Sequence, residues 1–406
     1  MTSRRMNWVF GFLQGTYWMS YGVLFPFLVR MCSSFKYDDF QCGVILTGVT
    51  VANLLMQPLV GSVCDRLKRI KPLFIGMFLT GGACSFLIYA GKTRFWLLFL
   101  TFLVLSSCIQ TLQYIIDIWS VRISSTGIRY NYGFSRSFGS LFYAVATLIL
   151  GFVLDRLGMD VIEPVFFVSA LLTAFVALWV NEDEAARMLS LESAGKDRKG
   201  ISVPFPKACG MLLRNRRYML FLISYFIIQI GNLPIYNYTA RKIEILNGGS
   251  SLLGIALFLQ AIAEVPLLLL QNRLKARFSP ERLMQAALLG MVIRAVGIAF
   301  APTALLTALS YLLQSVSFGI FIGALVLYVP SIVDKEIRFT AQTVFAALTI
   351  GLSGILGNLA GGYVAKTFDV IRMMHAFVGF VVFGAALFII VTAIREKREK
   401  KRGETA

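Results

Sequence analysis

Four ionisable side chains lie inside long apolar stretches of this sequence, where a charge is costly. Asp117 lies near the end of one stretch and Arg136 lies within the next. Glu264 and Arg294 lie near the middle of two later stretches. A charge at the centre of a membrane helix costs roughly 2.5–3.5 kcal/mol on insertion scales, so such residues usually face a partner or a water-filled cavity. Because carboxylates and guanidinium groups make strong hydrogen bonds, we predict that these residues bind a polar solute or carry a proton.

Other kinds of chemistry have little support in the sequence. His375 is the single histidine, and no Ser/His/Asp or glycine-rich phosphate motif is present. The six cysteines have neither CxxC nor Cys/His ligand spacing. We therefore expect no metal, no cofactor and no enzymatic activity. Cys32 and Cys42 fall in one predicted external loop, and the sequence leaves open whether they form a disulfide or, as we favour, remain thiols.

The composition indicates a membrane protein. The chain of 406 residues is 57% hydrophobic and 15% charged, with a mean hydropathy of +0.73. Soluble domains contain about 45–50% apolar and about 25% charged residues. The net charge of +18 could indicate nucleic-acid binding. However, the basic residues occupy short gaps between apolar stretches, so we expect a lipid bilayer and not nucleic acid as the partner.

Apolar stretches of spanning length recur along the whole chain. A spanning helix needs about 20 predominantly apolar residues. This length predicts an all-α membrane protein with twelve transmembrane helices in two six-helix halves. The predicted spans are 7–30, 43–63, 72–91, 95–121, 131–154, 161–180, 217–240, 252–271, 283–301, 303–329, 339–365 and 373–394.

A polar interval near the middle divides the chain. The predicted organisation is a six-helix half at 1–180, a cytoplasmic linker at 181–216, a second half at 217–394 and a basic cytoplasmic tail at 395–406. A short internal repeat supports this division, because D-R-L-K at 65–68 after the second span matches N-R-L-K at 272–275 after the eighth. Equivalent loops in two halves are typical of pseudo-symmetric transporters.

The distribution of basic residues predicts the orientation. With both termini on one side, about 28 of the 39 Lys and Arg residues fall on that side, which is therefore cytoplasmic. The apolar stretch at 7–27 is long and lacks a small-residue cleavage site, so we expect it to remain as the first helix rather than act as a signal peptide. We predict a multi-pass protein of the bacterial plasma (inner) membrane.

The loop after the second span carries a recognisable motif. It reads G-S-V-C-D-R-L-K-R, with Gly61, Asp65, Arg66 and Arg69 at its key positions. This loop resembles the signature of the major facilitator superfamily, G-x-x-x-D-R/K followed by further basic residues. The resemblance implies alternating access between two halves and a conformational latch formed by these four residues. The local alternative is a basic anchor at anionic lipid.

Three further stretches resemble the lactose permease and phenylpropionate permease branch of that superfamily. They are N-L-L-M-Q-P-L-V-G at 53–61, the placement of Asp117 and Arg136, and A-E-V-P at 263–266. The resemblance implies that Asp117 and Arg136 hydrogen-bond the substrate. It also implies that Arg294 regulates the protonation of a nearby carboxylate.

The chain departs from that branch on the tenth span. Gln314 and Ser317 occupy the positions at which lactose permease has its proton-coupling histidine and glutamate. Glu264 is then the best remaining proton carrier, because a buried carboxylate near an arginine can load and release a proton. We therefore assign proton coupling to Glu264 and Arg294. The alternative is that each acid–arginine pair is a buried ion bridge that fixes helix register.

Polar and aromatic residues on neighbouring spans could complete a substrate site. Tyr17 and Tyr21 share one face of the first span, with Gln14 and Trp18. An aromatic face with amide partners suits a sugar, a nucleoside or a small aromatic acid, although the same residues could serve interhelical hydrogen bonding. The predicted substrate-binding residues are Asp117, Arg136, Tyr17, Tyr21, Gln113, Asn232, Asn237 and Gln314.

The sequence therefore predicts a monomeric transporter that takes up a small polar solute with protons. One rival is a drug-type exporter of the same fold, against which the polar candidate residues argue. The other is a non-transporting sensor, which would need a larger cytoplasmic output region than the interval 181–216. Resistance and uptake assays discriminate between these alternatives.

Overall fold

The helical architecture is evident in a computed structural model that describes residues 3–124, 131–183 and 204–403. Within these ranges the chain forms helices joined by turns and loops, with no β-strand. The prediction of an all-α fold is confirmed.

Twelve long helical segments make up most of the described residues. Their bounds are α1 Ser3–Leu24, α2 Asp39–Arg66, α3 Lys71–Ala90, α4 Phe95–Ser124, α5 Tyr132–Leu157, α6 Met159–Leu178, α7 Arg216–Asn237, α8 Ser250–Arg277, α9 Pro280–Phe300, α10 Ala304–Ile332, α11 Lys335–Phe368 and α12 Val370–Gly403. Ten of them are long and apolar enough to cross a membrane, namely all except α1 and α8. In α8 the apolar part is the shorter stretch Ser250–Glu264. The chain is therefore a multi-pass membrane protein.

The connection between α1 and α2 is closely packed and partly helical. It contains a short helix, Leu28–Ser34, and ends in a capping box in which Asp38 Oδ1 accepts from the Gln41 N–H at 2.8 Å. Gln41 Oε1 accepts in return from the Asp38 N–H at 3.0 Å. These two bonds satisfy N–H groups that the first turn of a helix leaves without partners. Cys32 and Cys42 are both buried here, and no disulfide joins them.

Several long helices are locally irregular. The helix α4 is interrupted at Gln110 and Thr111. In α10 a 3₁₀ segment, Ser310–Leu313, precedes Gln314 and is followed by a π-helical segment, Ser315–Gly319. A second π segment lies in α11. Such π segments are often found at functional sites. The π segment of α10 begins directly after Gln314, a predicted site residue.

The described residues fall into two compact units. Unit 1 comprises α1–α6 together with Ile243–Ile262, which includes the first half of α8. Unit 2 comprises α7, the second half of α8 and α9–α12. Most of the predicted linker 181–216 lies outside the described residues, and a short helix, Phe205–Arg214, occupies its described end.

In unit 1, α1 packs against α5 and α6, while the start of α8 packs closely on α5. A Cβ on Gly151 would lie 2.6 Å from the Ser250 carbonyl oxygen, so only glycine permits this approach. The Asp155 carboxylate accepts from the N–H groups of Ser250 and Ser251 at the start of α8. A side chain of α5 thus stabilises the first turn of α8.

In unit 2, α7 packs against α11 and α12, and α9 packs against α10 and α12. Aromatic rings fill the interior: Tyr225 stacks on Phe321 with centroids 4.4 Å apart, and Phe221 stacks on Phe345 at 5.1 Å. The helix α12 continues beyond residue 394, the predicted end of the last span. Lys, Arg and Glu residues favour helix there, and Arg395 forms an ion pair with Glu281 at the start of α9.

Candidate functional site

Asp117 is held by neutral hydrogen-bond donors in unit 1. Its Oδ1 accepts from Gln113 Nε2 at 3.0 Å, one helical turn earlier on α4. The Tyr132 side chain, on α5, also hydrogen-bonds the carboxylate. Arg136 lies within electrostatic range of Asp117, yet the two do not form an ion pair in the described part of the chain. The predicted pair is therefore a cluster of an acid, an arginine and two polar side chains.

Arg136 is positioned by an aromatic ring and by a glycine. Its guanidinium carbon lies 4.4 Å from the centroid of the Trp18 ring, a cation–π contact between α5 and α1. Its Nη1 donates to Ser140 Oγ at 3.4 Å. Gly139 provides the space, because a Cβ there would lie 2.5 Å from Trp18 Cδ1 and 3.0 Å from Arg136 Nη1.

The predicted aromatic face of α1 contacts the same cluster. Trp18 makes edge-to-face contacts with Tyr17 at 5.5 Å and with Tyr21 at 5.3 Å between centroids. Tyr17 is only 2% exposed, and the charges of Asp117 and Arg136 both act on its hydroxyl. Unit 1 therefore brings together all five of its predicted binding residues, Asp117, Arg136, Tyr17, Tyr21 and Gln113.

Arg294 is the most deeply buried charge among the predicted site residues. It is 5% exposed and lies on α9 in unit 2. Its guanidinium carbon is 5.2 Å from the centroid of Tyr236 on α7 and 5.8 Å from that of Tyr311 on α10. Neither Nε nor Nη2 of Arg294 has a hydrogen-bond partner in the described part of the chain. Aromatic rings therefore lie against this charge, and no described acceptor meets its Nε or Nη2.

Glu264 is hydrogen-bonded to α10 and lies within electrostatic range of Arg294. Its Oε1 accepts from Gln314 Nε2 at 3.1 Å, and its charge also acts on Arg294. The other amide atom, Gln314 Oε1, is buried and has no hydrogen-bond partner within the described ranges. Ser317 donates to the carbonyl of Leu313 within α10, at 3.0 Å. Of the two residues that replace the coupling pair of lactose permease, Gln314 thus contacts the candidate proton carrier.

The two predicted asparagines of α7 use amide donors within unit 2. Asn232 Nδ2 donates to Gln229 Oε1 at 3.0 Å, on the same helix. Asn237 Nδ2 donates to Asn358 Oδ1 on α11 at 2.9 Å. The second bond connects two helices, as expected if these residues serve interhelical hydrogen bonding rather than solute binding.

The signature loop contacts the C-terminal ends of α4 and α6, which the sequence predicts to be cytoplasmic. Arg122, near the end of α4, has Nη2 3.9 Å from Asp65 Oδ1 and donates to the Leu67 carbonyl at 2.9 Å. Arg69 Nη2 lies 3.0 Å from Asp183 Oδ1 in an exposed ion pair. The predicted latch residues Asp65 and Arg69 therefore connect the end of α2 to the ends of α4 and α6.

A buried carboxylate completes this latch region. Glu182 accepts from the N–H groups of Ile70 and Lys71 at the start of α3, at 3.0 and 3.1 Å. Burial raises the pKa of the Glu182 carboxyl, and these N–H groups and nearby cations oppose that rise. Of the remaining predicted latch residues, Arg66 is exposed, and a Cβ on Gly61 would meet no described atom within 4 Å.

Lys242 is a buried cation that the sequence analysis did not single out. It is 1% exposed, and its Nζ donates to the carbonyls of Ile298 and Ala299 at 2.6 and 2.8 Å. His375 Nε2 lies 3.1 Å from the same Ala299 oxygen, and its ring stacks on Phe300. Burial lowers the pKa of Lys242 to about 8. The two side chains therefore cap the C-terminal carbonyls of α9.

The chemistry available to both clusters is hydrogen bonding and proton exchange. Each contains a carboxylate, a guanidinium and amide groups, and neither contains an activated nucleophile among its described residues. Among the described residues, no group of three His, Cys, Asp or Glu side chains could hold a metal ion.

The family is decided by a match that extends over most of the chain. The model of the MFS_1 like family matches residues 11–377. The chain belongs to this family. Full-length relatives of the MFS_1-like chain include an uncharacterized transporter of Bacillus subtilis (strain 168), YwbF, which is 24% identical over 96% of this chain and 94% of its own length. The maltose permease of Geobacillus stearothermophilus is 25% identical over 95% of this chain and 93% of its own length.

Solved structures confirm the fold of the MFS_1-like chain. The nucleoside transporter NupG aligns with a TM-score of 0.75 and 20% identity, covering 95% of this chain and 98% of NupG. A bacterial homologue of the lysosomal transporter Spinster aligns with a TM-score of 0.66 and 13% identity, over 96% of both chains. The predicted membership of the major facilitator superfamily is confirmed, and the chain is an MFS-type transporter.

Proposed function

We propose that this transporter takes up a small polar solute together with protons, by alternating access. The observation that carries the proposal is the same in both units. Membrane helices place an acid and an arginine within electrostatic range of each other: Asp117 with Arg136, and Glu264 with Arg294. Two such clusters are costly in a bilayer and have a use in binding and coupling.

The cluster of unit 1 is proposed to hold the solute. Arg136 offers donors and Asp117 an acceptor, which together match the hydroxyl or carbonyl groups of a polar solute. Trp18 supplies an aromatic surface beside them. The similarity to a maltose permease and to a nucleoside transporter supports sugars and nucleosides as first candidates, alongside small aromatic acids.

The cluster of unit 2 is proposed to carry the proton. Glu264 lies beside Arg294 and accepts a hydrogen bond from Gln314. This carboxylate is proposed to take up and release the proton as the electrostatic support from Arg294 changes during the cycle. Arg294 thus regulates the proton on Glu264.

The proposed setting is a bacterial plasma membrane with both termini cytoplasmic, and the proposed state is a monomer. The excess of Lys and Arg between alternate spans supports this orientation. Under it, the latch region formed by Asp65, Arg69, Arg122 and Glu182 lies on the cytoplasmic side.

Uptake into proteoliposomes tests the proposal. The purified chain is reconstituted with an alkaline interior, and a panel of labelled sugars, nucleosides and aromatic acids is offered. We expect gradient-driven accumulation of at least one solute, and its loss in Asp117→Ala and Arg136→Ala.

The matched controls are Asp369→Ala and Arg372→Ala, which remove an exposed acid–arginine pair at the start of α12. These should transport normally. If Asp117→Ala and Arg136→Ala also transport normally, the assignment of the solute site is wrong. If amphipathic drugs are exported from the vesicles and no solute of the panel is taken up, the alternative hypothesis of a drug-type exporter is correct.

A further inference from the structure

One edge of the Arg294 guanidinium lacks hydrogen-bond partners. The residue is more than nine-tenths buried, and both Nε and Nη2 lack a hydrogen-bond partner in the described part of the chain. These two nitrogens belong to the same edge of the planar group, so their N–H bonds point side by side. Leaving charged donors buried without acceptors is unfavourable, which indicates that this edge serves a ligand.

The surroundings of Arg294 compensate its charge only in part. Tyr236 and Tyr311 present ring faces to the guanidinium carbon at 5.2 and 5.8 Å. Aromatic faces attract a cation but offer no acceptor lone pair to its N–H bonds. The two rings, 5.9 Å apart, therefore hold the guanidinium in place while its donors stay available.

We propose that the Nε/Nη2 edge of Arg294 binds the carboxylate of a small monocarboxylate solute. The two oxygens of a carboxylate match the two parallel donors of this edge, and the pair is charge-assisted. A neutral diol could meet the same donors, but once Glu264 carries the proton it would leave the buried guanidinium without a counter-charge. The inference rests on the proposed function and narrows its solute class from polar compounds to acids.

The neighbouring residues fit a carboxylate solute that moves with a proton. Gln314 Oε1 is a buried acceptor without a hydrogen-bond partner among the described residues, and it can accept from a hydroxyl or N–H group of the same solute. Glu264, bonded to the other amide atom of Gln314, takes up the accompanying proton. One anion and one proton transported together carry no net charge across the membrane.

Binding measurements on the purified full-length chain test the inference. Each probe is an acid paired with its uncharged primary amide: benzoate with benzamide, and glucuronate with glucuronamide. We expect the wild type to bind at least one acid about tenfold or more tightly than its amide. Arg294→Gln, which loses both the charge and the two parallel donors, should remove that preference, while Arg372→Gln, on the surface of the same unit, should keep it.

The outcomes separate this inference from the proposed function. If the wild type binds no acid more tightly than its amide, the carboxylate subsite is refuted without recourse to any variant. Proton-driven uptake of a neutral sugar or nucleoside would then leave the proposed function standing. If Arg294→Gln keeps the full preference for acids, the acid is bound elsewhere and Arg294 is not its anchor.

Discussion

The guanidinium of Arg136 lies over the indole of Trp18, with its carbon 4.4 Å from the ring centroid. This contact connects α5 to α1, and it orients Arg136 although no carboxylate among the described residues pairs with it directly. An arginine held by an aromatic ring keeps its N–H groups available for a solute. The orientation of Arg136, the proposed solute-binding arginine, therefore depends on the uncharged side chain of Trp18.

Substituting Trp18→Ala should weaken the apparent affinity for the transported solute. A cation–π contact contributes about 0.5–2 kcal/mol, so we expect KM to rise about 2- to 30-fold. Trp18→Phe keeps a ring and should have a smaller effect. Trp8→Ala on the same helix removes an exposed indole and serves as the control. A KM unchanged in Trp18→Ala would show that the contact does not position Arg136.

Two glycines of α5 should respond differently to alanine. In Gly139→Ala the new Cβ would lie 2.5 Å from Trp18 Cδ1, so the ring and Arg136 must move. We expect uptake to fall at least tenfold while the amount of protein in the membrane stays the same. In Gly133→Ala the new Cβ would lie 3.5 Å from Asn131 Oδ1, an ordinary contact. Equal uptake by the two variants would contradict the tight packing at Gly139.

Removing the charge of Glu264 should separate exchange from accumulation. Glu264→Gln retains a hydrogen-bonding partner for Gln314 but cannot carry a proton. We expect the variant to exchange labelled for unlabelled solute across the membrane without accumulating it against a gradient. Counterflow and pH-driven uptake in the same vesicles measure the two activities. Uphill uptake at the wild-type level would refute Glu264 as the proton carrier.

Two adjacent acids should differ in their contribution to stability. Glu182 accepts from two N–H groups at the start of α3, so Glu182→Ala should lower the free energy of unfolding by about 1–2 kcal/mol. Asp183 forms an exposed ion pair with Arg69, and such pairs contribute about 0–1 kcal/mol. Thermal unfolding in detergent compares the two variants. An equal or larger loss in Asp183→Ala would mean that the exposed ion pair, not the buried cap, stabilises this region.

Lys242 should give the protein a pH-dependent stability. Its pKa is lowered from 10.5 to about 8 by burial, so above pH 8 the unfolded chain binds more protons than the folded one. The free energy of unfolding should therefore rise between pH 8 and about 10.5 relative to a Lys242→Met variant, whose hydrogen bonds to α9 are lost at every pH. Melting temperatures of the two proteins across this range measure the difference. A difference that stays constant would show that Lys242 keeps its ordinary pKa.

Features that depend on helical spacing could be predicted from the sequence. The length of apolar stretches gave the order of the long helices. Gln113 and Asp117 are four residues apart, so their hydrogen bond follows from the period of the helix. The contact of Trp18 with Tyr21 follows from a spacing of three.

Contacts between distant parts of the chain could not be predicted in the same way. Glu182 reaches residues more than a hundred positions earlier, and nothing local marks it as a helix cap. In the sequence, Lys242 resembles an ordinary loop cation. Only the structure shows that it donates to two carbonyls of α9. The hydrogen bond of Glu264 depends on the irregular course of α10, for which hydropathy alone predicts one regular span.

Gln314 stands at the junction between the 3₁₀ segment and the π segment of α10. Successive residues of an α-helix are about 100° apart around its axis. A π turn holds more residues than an α turn. Converting the π segment to regular α-helix would therefore rotate Gln314 about the helix axis relative to the residues that follow it. Its amide would then turn away from Glu264. The hydrogen bond between these two side chains is therefore a reporter of the winding of α10, and an infrared label on the Glu264 carboxylate would detect each change of winding.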